Sequence, residues 1–283
     1  MRLQIRNTWR FVKSRACTAF SDRYRTGKAV IHSCQGVNTA RRVREHQGMS
    51  ACVPCVPCCC GWLTCYHSDV LWRVSHSRRG VALTIDDFPS KSLSKDAFML
   101  LLAMLEDHGV CASFFVIWSR VKDSHTMKRM VLEMHRRGHE IALHYQGRWG
   151  WCLSEREYVP LAQSMLSFCD RNSIPVRFVR PPGGFATRSF IDNHAVLGLT
   201  TVIGTAYPGD ADVCACMPSR WIGKCAARLA SGAPGRIVIL HVNSKLVAKV
   251  QAFLDANKRD LCTLAKLMDT ATEAAIPLVR VKS

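Results

Sequence analysis

The sequence predicts an α/β fold in which parallel strands alternate with helices, as an open doubly wound sheet or as a barrel. Three observations support this prediction. Seven short apolar runs bounded by turn residues recur from residue 81 onward, as buried strands do. Stretches with apolar residues at helical spacing separate most of them. The chain has 283 residues, 48% of them hydrophobic, which is enough for a sizeable core.

The predicted strands are the seven apolar runs, taken in chain order. They cover residues 81–86, 111–117, 140–144, 176–180, 200–205, 236–242 and 277–282. Helices are predicted at residues 94–107, 124–137 and 154–171, and the first two end near glycines. The third opens with Ser154 and Glu157, which have the spacing of a capping box. Pro160 is expected to kink this helix or to delay its start.

Residues 1–68 are predicted to form a basic, cysteine-rich and mostly unstructured leader before a domain at residues 69–283. Residues 1–80 hold 14 Lys and Arg against 3 Asp and Glu, so the front end supplies most of the net charge of +18. The composition also allows a mitochondrial-type leader, or an extension upstream of a start at Met49. No basic–aromatic pattern typical of nucleic-acid binding occurs, so we expect no nucleic-acid partner.

A cysteine cluster runs from Cys52 to Cys65 in this leader. The first three cysteines have zinc-ligand spacing, but no second pair follows, so we expect no zinc there. Prolines break the run, and we find no clear signal peptide or transmembrane helix. S-acylation of the cluster would give a reversible anchor, and only then do we expect membrane association. Scattered cysteines in the body favour reduced thiols and an intracellular location.

Polar side chains with catalytic potential stand where the predicted strands end. In both candidate layouts, the carboxyl ends of the strands meet at one edge, where chemistry gathers. A candidate hydrolytic site is therefore expected there. Its members are Asp86 and Asp87 after the first strand, His144 after the third, Arg180 after the fourth, Asp210 beyond the fifth and His241 after the sixth.

Five motifs in this order resemble those of the polysaccharide deacetylase family, also known as the NodB-homology or carbohydrate esterase 4 group. The motifs are TIDD (84–87), GHEIALH (138–144), RPPGG (180–184), YPGD (207–210) and IVILH (237–241). YPGD is similar to the fourth motif of the atypical branch. The resemblance covers roughly residues 69–283 and implies a distorted (β/α)7-type barrel of parallel strands.

The resemblance also implies metal-assisted hydrolysis of N-acetyl groups on an amino sugar, with an N-acetylated carbohydrate as the partner. It implies a divalent metal, with zinc expected, bound by Asp87 and His144. It further implies that Asp86 is the general base and His241 the general acid. Arg180 would orient the base, and Asp210 would be the partner of the acid. The residues implied to contact the substrate are Pro182, Gly184, Tyr207 and Leu240.

The chain departs from the family pattern at the third metal ligand. Arg148 stands at that position, and a protonated arginine has no lone pair for a metal. Gln146 and Glu155 are the candidate replacements. Phe88 stands where the family usually has Gly, which narrows the mouth of the site, and Val242 stands where Asp is common.

Two other histidines are assigned no chemistry. His139 lies five residues before His144, so the two side chains are expected on opposite faces of the strand, and His139 is expected to pack or to hydrogen-bond. His194 is expected on the surface of a helix.

Three functions remain open. The preferred one is a working deacetylase with an altered ligand set. The second is a degenerate relative that binds sugar polymers or a partner without catalysis. The third is a membrane-tethered scaffold that uses the cysteine cluster.

Overall fold

The computed structural model describes residues 70–74, 80–146, 155–212, 214–232 and 235–275. The predicted leader with its cysteine cluster, the predicted strand at 277–282 and Arg148 lie outside these residues, as does the side chain of Glu155. The division into a leader and a domain therefore stays a prediction. No helix in the described part of the chain has the length and apolar character needed to cross a membrane.

One sheet of parallel strands organises the described residues. Its strands lie side by side in the order β1-β6-β5-β4-β3-β2-β7, and β8 pairs with the start of β2. The strands are β1 (Val70–Leu71), β2 (Val81–Phe88), β3 (Ser113–Ile117), β4 (Glu140–His144), β5 (Phe178–Arg180), β6 (Thr200–Val202), β7 (Ile237–His241) and β8 (Leu261–Cys262).

Helices connect the strands, and those that precede β8 cover the outer face of the sheet. The three predicted helices are confirmed to within one residue at each end. The helices are α1 (Lys95–Asp107), α2 (His125–Arg136), α3 (Glu155–Arg171), α4 (Arg188–Val196), α5 (Ser219–Ser231), α6 (Leu246–Ala256) and α7 (Leu264–Ala275). Pro160 lies inside α3, which begins before it rather than after it.

The sheet curls until its two edges approach each other. Beyond β6, Ala206 forms a parallel bridge with Val238 of β7, and the amide of Ile239 donates to the carbonyl of Ala206 over 3.1 Å. Beyond β1, the amide of Val74 donates to the carbonyl of Gly235, just before β7. The fold is therefore a distorted barrel of parallel strands, which confirms the predicted fold class.

The amino-terminal end of the barrel is closed by helix α7. Leu264 and Leu267 of this helix are fully buried against inward-facing residues of the strands. Glu140, at the start of β4, accepts hydrogen bonds from the amides of Leu264 and Ala265 and from the hydroxyl of Ser113. A carboxylate thus satisfies the first free amides of α7, as a helix cap does. Burial raises the pKa of Glu140, and these hydrogen bonds oppose that rise only in part.

Two strands of the sheet were not predicted. Strands β1 and β8 have only two residues each, too few to show the alternation that predicts a strand. Their positions depend on backbone pairing with β6 and β2, which are distant in sequence. Six of the seven predicted strands are confirmed, and the seventh lies outside the described residues.

Candidate functional site

The carboxyl ends of four strands bring the predicted site residues together. Register places Asp86 of β2 opposite His241 of β7, and His144 of β4 opposite Arg180 of β5. All four strands are parallel, so these residues lie at the same end of the barrel. Alternation along β2 directs Ala82, Thr84 and Asp86 inward, while Leu83 and Ile85 belong to the core under the helices.

Asp86 is a buried carboxylate held by a buried arginine. Its side chain is 3% exposed, and Oδ1 accepts a hydrogen bond from Arg180 Nη1 over 2.5 Å. The other oxygen, Oδ2, lies 4.0 Å from His241 Nε2. Burial of either charge alone would be costly, so the two are buried as a pair. The hydrogen bond from Arg180 fixes the Asp86 carboxylate with Oδ2 toward His241.

Arg180 is fixed by contacts on several sides. Its Nη1 also donates to Thr84 Oγ1 over 2.9 Å, and its Nε donates to the carbonyl of Val202. The guanidinium carbon lies 3.9 Å from the centre of the Phe115 ring, a cation–π contact. Burial lowers the pKa of Arg180, and the negative charge of Asp86 counters this. Arg180 stays protonated because its ordinary pKa lies far above neutrality.

Asp87 follows Asp86 but is not turned to the outer face of the sheet. Its φ is 71°, in the left-handed region, and the pairing of β2 with β3 shifts register between Ile85 and Phe88. This bulge directs the Asp87 carboxylate to the rim, where Oδ1 lies 3.4 Å from His144 Nε2. Two adjacent acids therefore reach one site because the backbone is irregular between them.

The facing atoms of Asp87 and His144 fit a bound cation. His144 Nδ1 lies 2.8 Å from the carbonyl oxygen of Arg180, which can only accept, so Nδ1 carries a proton. In this tautomer the Nε2 lone pair faces the Asp87 carboxylate, and a metal ion held between the two groups would take a lone pair from each. Burial raises the pKa of Asp87, but the hydrogen bond and charge of His144, with His241 and Arg120, lower it to about 2.

A third metal-ligating side chain is not found among the residues that the structure describes. No group of three His, Cys, Asp or Glu side chains converges within them. Gln146 is exposed, and its carbonyl oxygen accepts a hydrogen bond from Arg120 Nε over 3.3 Å. Arg148 and the side chain of Glu155 lie outside the described residues. The described chain therefore supplies two donors that fit a divalent metal.

His241 is fixed on its other side by Asp210. Asp210 Oδ1 lies 2.8 Å from His241 Nδ1, and Oδ2 accepts from the backbone amide of His241 over 2.9 Å. Burial lowers the pKa of His241, but the hydrogen bond and charge of Asp210, with the charges of Asp86 and Asp87, raise it to about 9. The imidazole is therefore protonated at neutral pH and able to donate a proton from Nε2.

Lys249, which was not among the predicted site residues, completes this group. Lys249 of α6 is fully buried, and its ammonium group donates to Asp210 Oδ2 and to the carbonyl of His241. It lies on the same helical stripe as Leu246, Val250 and Phe253, which are all fully buried. A lysine on an apolar stripe is the one signal in the sequence that a buried partner carboxylate exists.

The four predicted substrate contacts do not all face the site. Tyr207 does, because its ring lies edge-on to His241 at 5.4 Å, and its hydroxyl donates to Asp212. Pro182 and Gly184 belong to the 3-10 turn that follows Arg180 after one residue, where Pro182 is buried and Gly184 has a φ of 75°.

The prediction for Leu240 is corrected by the structure. Its side chain is fully buried in the core under the helices, on the face of β7 opposite to His241. Alternation along the strand instead places Ile239 on the same face as His241. Ile239 is 8% exposed and is the apolar side chain of β7 nearest to His241 on that face.

His139 and His194, which were assigned no chemistry, are both buried. His139 packs edge-on against Phe114, away from His144, and its Nδ1 accepts from the amide of Ala112, which confirms the prediction of a packing and hydrogen-bonding role. His194 was predicted on a surface, and this is wrong. It is fully buried, because Tyr145 and the carbonyl of Phe190 supply hydrogen-bond partners for both ring nitrogens.

Comparisons with known proteins agree with this arrangement. The family model for polysaccharide deacetylase matches residues 73–202. A chitooligosaccharide deacetylase from Sinorhizobium fredii is 30% identical over 185 residues, which cover 61% of this chain and 78% of that protein.

Solved structures show the same fold at lower identity. A CE4 family pseudoenzyme from Bacillus anthracis has a TM-score of 0.59 at 19% identity, covering 71% of this chain and 69% of that one. Peptidoglycan deacetylase PdaC from Bacillus subtilis has a TM-score of 0.55 at 18% identity, covering 70% and 94%. Taken with the sequence matches, the fold and the order of the motifs lead to one conclusion: the chain belongs to the polysaccharide deacetylase family.

Proposed function

We propose that the chain is a metal-dependent hydrolase that removes N-acetyl groups from amino-sugar polymers or related amides. One observation carries the proposal. The Arg180-bound carboxylate of Asp86 and the Asp210-bound imidazole of His241 face each other, 4.0 Å apart, beside the donor pair of Asp87 and His144. A carboxylate base and a protonated imidazole beside a metal position can together activate a water molecule and protonate a leaving amine.

Asp87 and His144 would hold the divalent metal, and we propose zinc. Bound there, the metal would supply Lewis-acid chemistry, which polarises an amide carbonyl and makes a water molecule more acidic. The carbonyl of Arg180 orients His144 by its contact with Nδ1, so that Nε2 faces Asp87.

Asp86 acts as the general base and His241 as the general acid. Arg180 occupies Oδ1 of Asp86, which leaves Oδ2 on the His241 side to take a proton from the attacking water. Asp210 occupies Nδ1 of His241, which leaves Nε2 to give a proton to the leaving amine. Arg180 and Asp210 thus each bind one polar atom of the neighbouring side chain and leave its other polar atom free to react.

We propose an N-acetylated carbohydrate as the substrate, because the Sinorhizobium fredii relative is a chitooligosaccharide deacetylase. Tyr207 and Ile239 flank His241 from the loop after β6 and from β7, so they would contact the acetyl group or the sugar. Pro182 and Gly184 would line the opposite side, beside Arg180.

The proposal is tested by metal content and by deacetylation of chitooligosaccharides. The full chain should purify with about one equivalent of zinc-like metal and release acetate, and a chelator should abolish release. Asp86→Asn should remove activity but retain the metal. Asp87→Asn should remove both, and Asn tolerates the left-handed backbone at this position. Asp123→Asn, at an exposed acid, is the matched control. A metal-loaded wild type with no activity would contradict the proposal.

A second candidate is a carbohydrate-binding protein without catalysis. The observation that favours it is that the described residues supply two metal donors rather than three. A mutant of the Bacillus anthracis pseudoenzyme has restored enzymatic activity, so a degenerate site in this fold can be repaired. Arg148→His and Arg148→Asp separate the candidates. A metal-free, inert wild type whose variants gain both metal and activity would support the second candidate.

A further inference from the structure

Lys249 is buried completely, which is unusual for a lysine. It lies in the middle of α6, on the outside of the barrel, and its side chain reaches the loop after β6 and the end of β7. Among the described residues it is the one lysine in the buried class. Its burial therefore needs a specific partner, and Asp210 is that partner.

Asp210 accepts three hydrogen bonds that together fix its orientation. Oδ1 faces His241 Nδ1, while Oδ2 accepts from the His241 amide and from Lys249. Lys249 also donates to the carbonyl of His241 over 2.9 Å. The ammonium group therefore contacts both the carboxylate that supports the imidazole and the backbone that carries it.

The packing of α5 against α6 places Lys249 close enough to make these contacts. A Cβ atom added to Gly223 of α5 would lie 2.5 Å from the Lys249 carbonyl and 2.6 Å from Ala252 Cβ. The two helices therefore approach each other at a point where only glycine fits. This close approach fixes the backbone of α6 at the turn that carries Lys249.

We propose that Lys249 is a positioning residue that acts through Asp210 on His241. Its ammonium group holds the carboxylate against the imidazole and offsets part of the carboxylate's negative charge. The inference rests on the proposed function only in naming His241 as the proton donor. A lysine that acted on His241 only through space would shift the pKa of His241 equally with and without the Asp210 carboxylate.

The sign of the effect follows from the charges around the imidazole. Removal of the Lys249 cation leaves the protonated imidazole facing acids alone, which favours the protonated form, so the pKa of His241 should rise by about one unit. Among the described residues, the titratable and charged groups that face His241 are Asp86 and Asp87 of β2, Tyr207 and Asp210 of the loop after β6, and Lys249 of α6.

The experiment measures the pKa of His241 by NMR titration of ¹⁵N-histidine-labelled full-length protein, without substrate. Lys249→Met should raise it by about one unit. Lys249→Gln, which keeps a hydrogen-bond donor for Asp210, should raise it similarly and is the variant to use if methionine prevents folding. Lys245→Met is the matched control, because this exposed lysine lies directly before the same helix and its ammonium group donates to the carbonyls of Ala215 and Met217. It should leave the pKa unchanged.

A double-mutant cycle tests whether the effect passes through Asp210. In the Asp210→Asn background, Lys249→Gln should shift the pKa of His241 by less than half as much. Folded Lys249 variants with the wild-type pKa, or an equal shift in both backgrounds, would overturn the inference. The titration does not depend on enzymatic activity. A wild-type protein without deacetylase activity would therefore contradict the proposed function but would not affect this test of Lys249. In an active protein, the basic limb of the kcat/KM profile should move by the same amount as the pKa.

Discussion

Asp86 and Asp210 are both almost completely buried, and each is paired with a buried cation. Arg180 supports Asp86, and Lys249 supports Asp210. These two ion pairs lie on opposite sides of His241, so the imidazole faces a carboxylate at each ring nitrogen. Breaking a buried pair leaves an uncompensated charge, and this makes the site residues important for stability as well as for chemistry.

Replacement of Arg180 by methionine should destabilise the protein strongly. Asp86 would stay buried without a counter-charge, which costs about 3 to 5 kcal/mol in the free energy of unfolding. Arg188→Met is the control, because it breaks an exposed ion pair with Asp192 in α4 and should cost less than about 0.5 kcal/mol. Urea unfolding of both variants measures the difference, and equal losses would contradict this interpretation of the Arg180 contacts.

The free energy of unfolding should fall as pH rises between about 6.5 and 9. The pKa of His241 is raised from 6.5 in the unfolded chain to about 9 in the folded one. Its contribution is therefore complete below pH 6.5 and is lost as pH rises through 9. The loss is at most about 3 kcal/mol. His241→Gln should flatten this part of the profile, and a wild-type slope in the variant would assign the loss to another group.

Residue types alone did not reveal every member of the site. Asp86, Arg180, His144 and His241 were predictable because each ends a strand whose period is clear. Lys249 was not, because its partner lies 39 positions away in sequence and only packing brings them together. His194 was misjudged for the same reason: Tyr145, 49 positions away, makes its burial possible.

At the scale of elements, contacts between α5 and α6 determine where the basic side chain of Lys249 lies. The turn of α5 at Gly223 touches the backbone of α6, so the spacing between these helices has no tolerance for a larger residue. Leu246, Val250 and Phe253 then fix the rotation of α6 by packing into the core. A shift of α6 would therefore move Lys249 and change its contact with Asp210.

Gly223→Ala should destabilise the protein although alanine is the better helix former. The new methyl group would overlap the Lys249 carbonyl, which is backbone and cannot move aside alone, at a cost of about 1 to 3 kcal/mol. This cost exceeds the gain in helix propensity of about 1 kcal/mol or less.

Gly232→Ala, at the end of the same helix, is the control. There the added methyl group meets the flexible end of Arg236, and the effect should stay within about 0.5 kcal/mol. Thermal unfolding of both variants measures the contrast. Equal stabilities for the two variants would show that the helices can separate at Gly223.

Element-level prediction succeeded where a strand or helix has a full period of its own. Helices α1 and α2 are each preceded by a capping serine, whose hydroxyl accepts from the amide of Ala97 or Met127. The bulge at Asp87 has no such local signal. It follows from pairing with β3, where the register shifts between Ile85 and Phe88.

At the scale of the whole molecule, a ligand that binds only the folded barrel should stabilise it. A metal held by Asp87 and His144 would connect β2 with β4, which are separated by β3 in the sheet. Binding of this kind raises the free energy of unfolding according to the ratio of free metal to Kd. Stability thus reports metal binding whether or not the protein turns over a substrate.

Zinc should raise the thermal unfolding temperature of the wild-type chain. At a free zinc concentration one hundred times Kd, the stabilisation should reach about 2.7 kcal/mol. Asp87→Asn should lose this increase, and it also controls for zinc bound by the many cysteines, because it leaves all of them in place. An equal increase in both proteins would place the zinc elsewhere.

The stacking of Arg180 on Phe115 has a consequence for the barrel as a whole. Phe115 lies between the charges at the carboxyl end and the carboxylate of Glu140, which caps α7 at the other end. An apolar layer of this kind has a low dielectric constant, so it weakens the field of a charge less than the same thickness of water would. The charges at the two ends of the barrel are therefore separated by distance rather than by solvent screening. Charge changes around α7 should affect the acidity of groups at the opposite end more than equally distant changes on the exposed surface do.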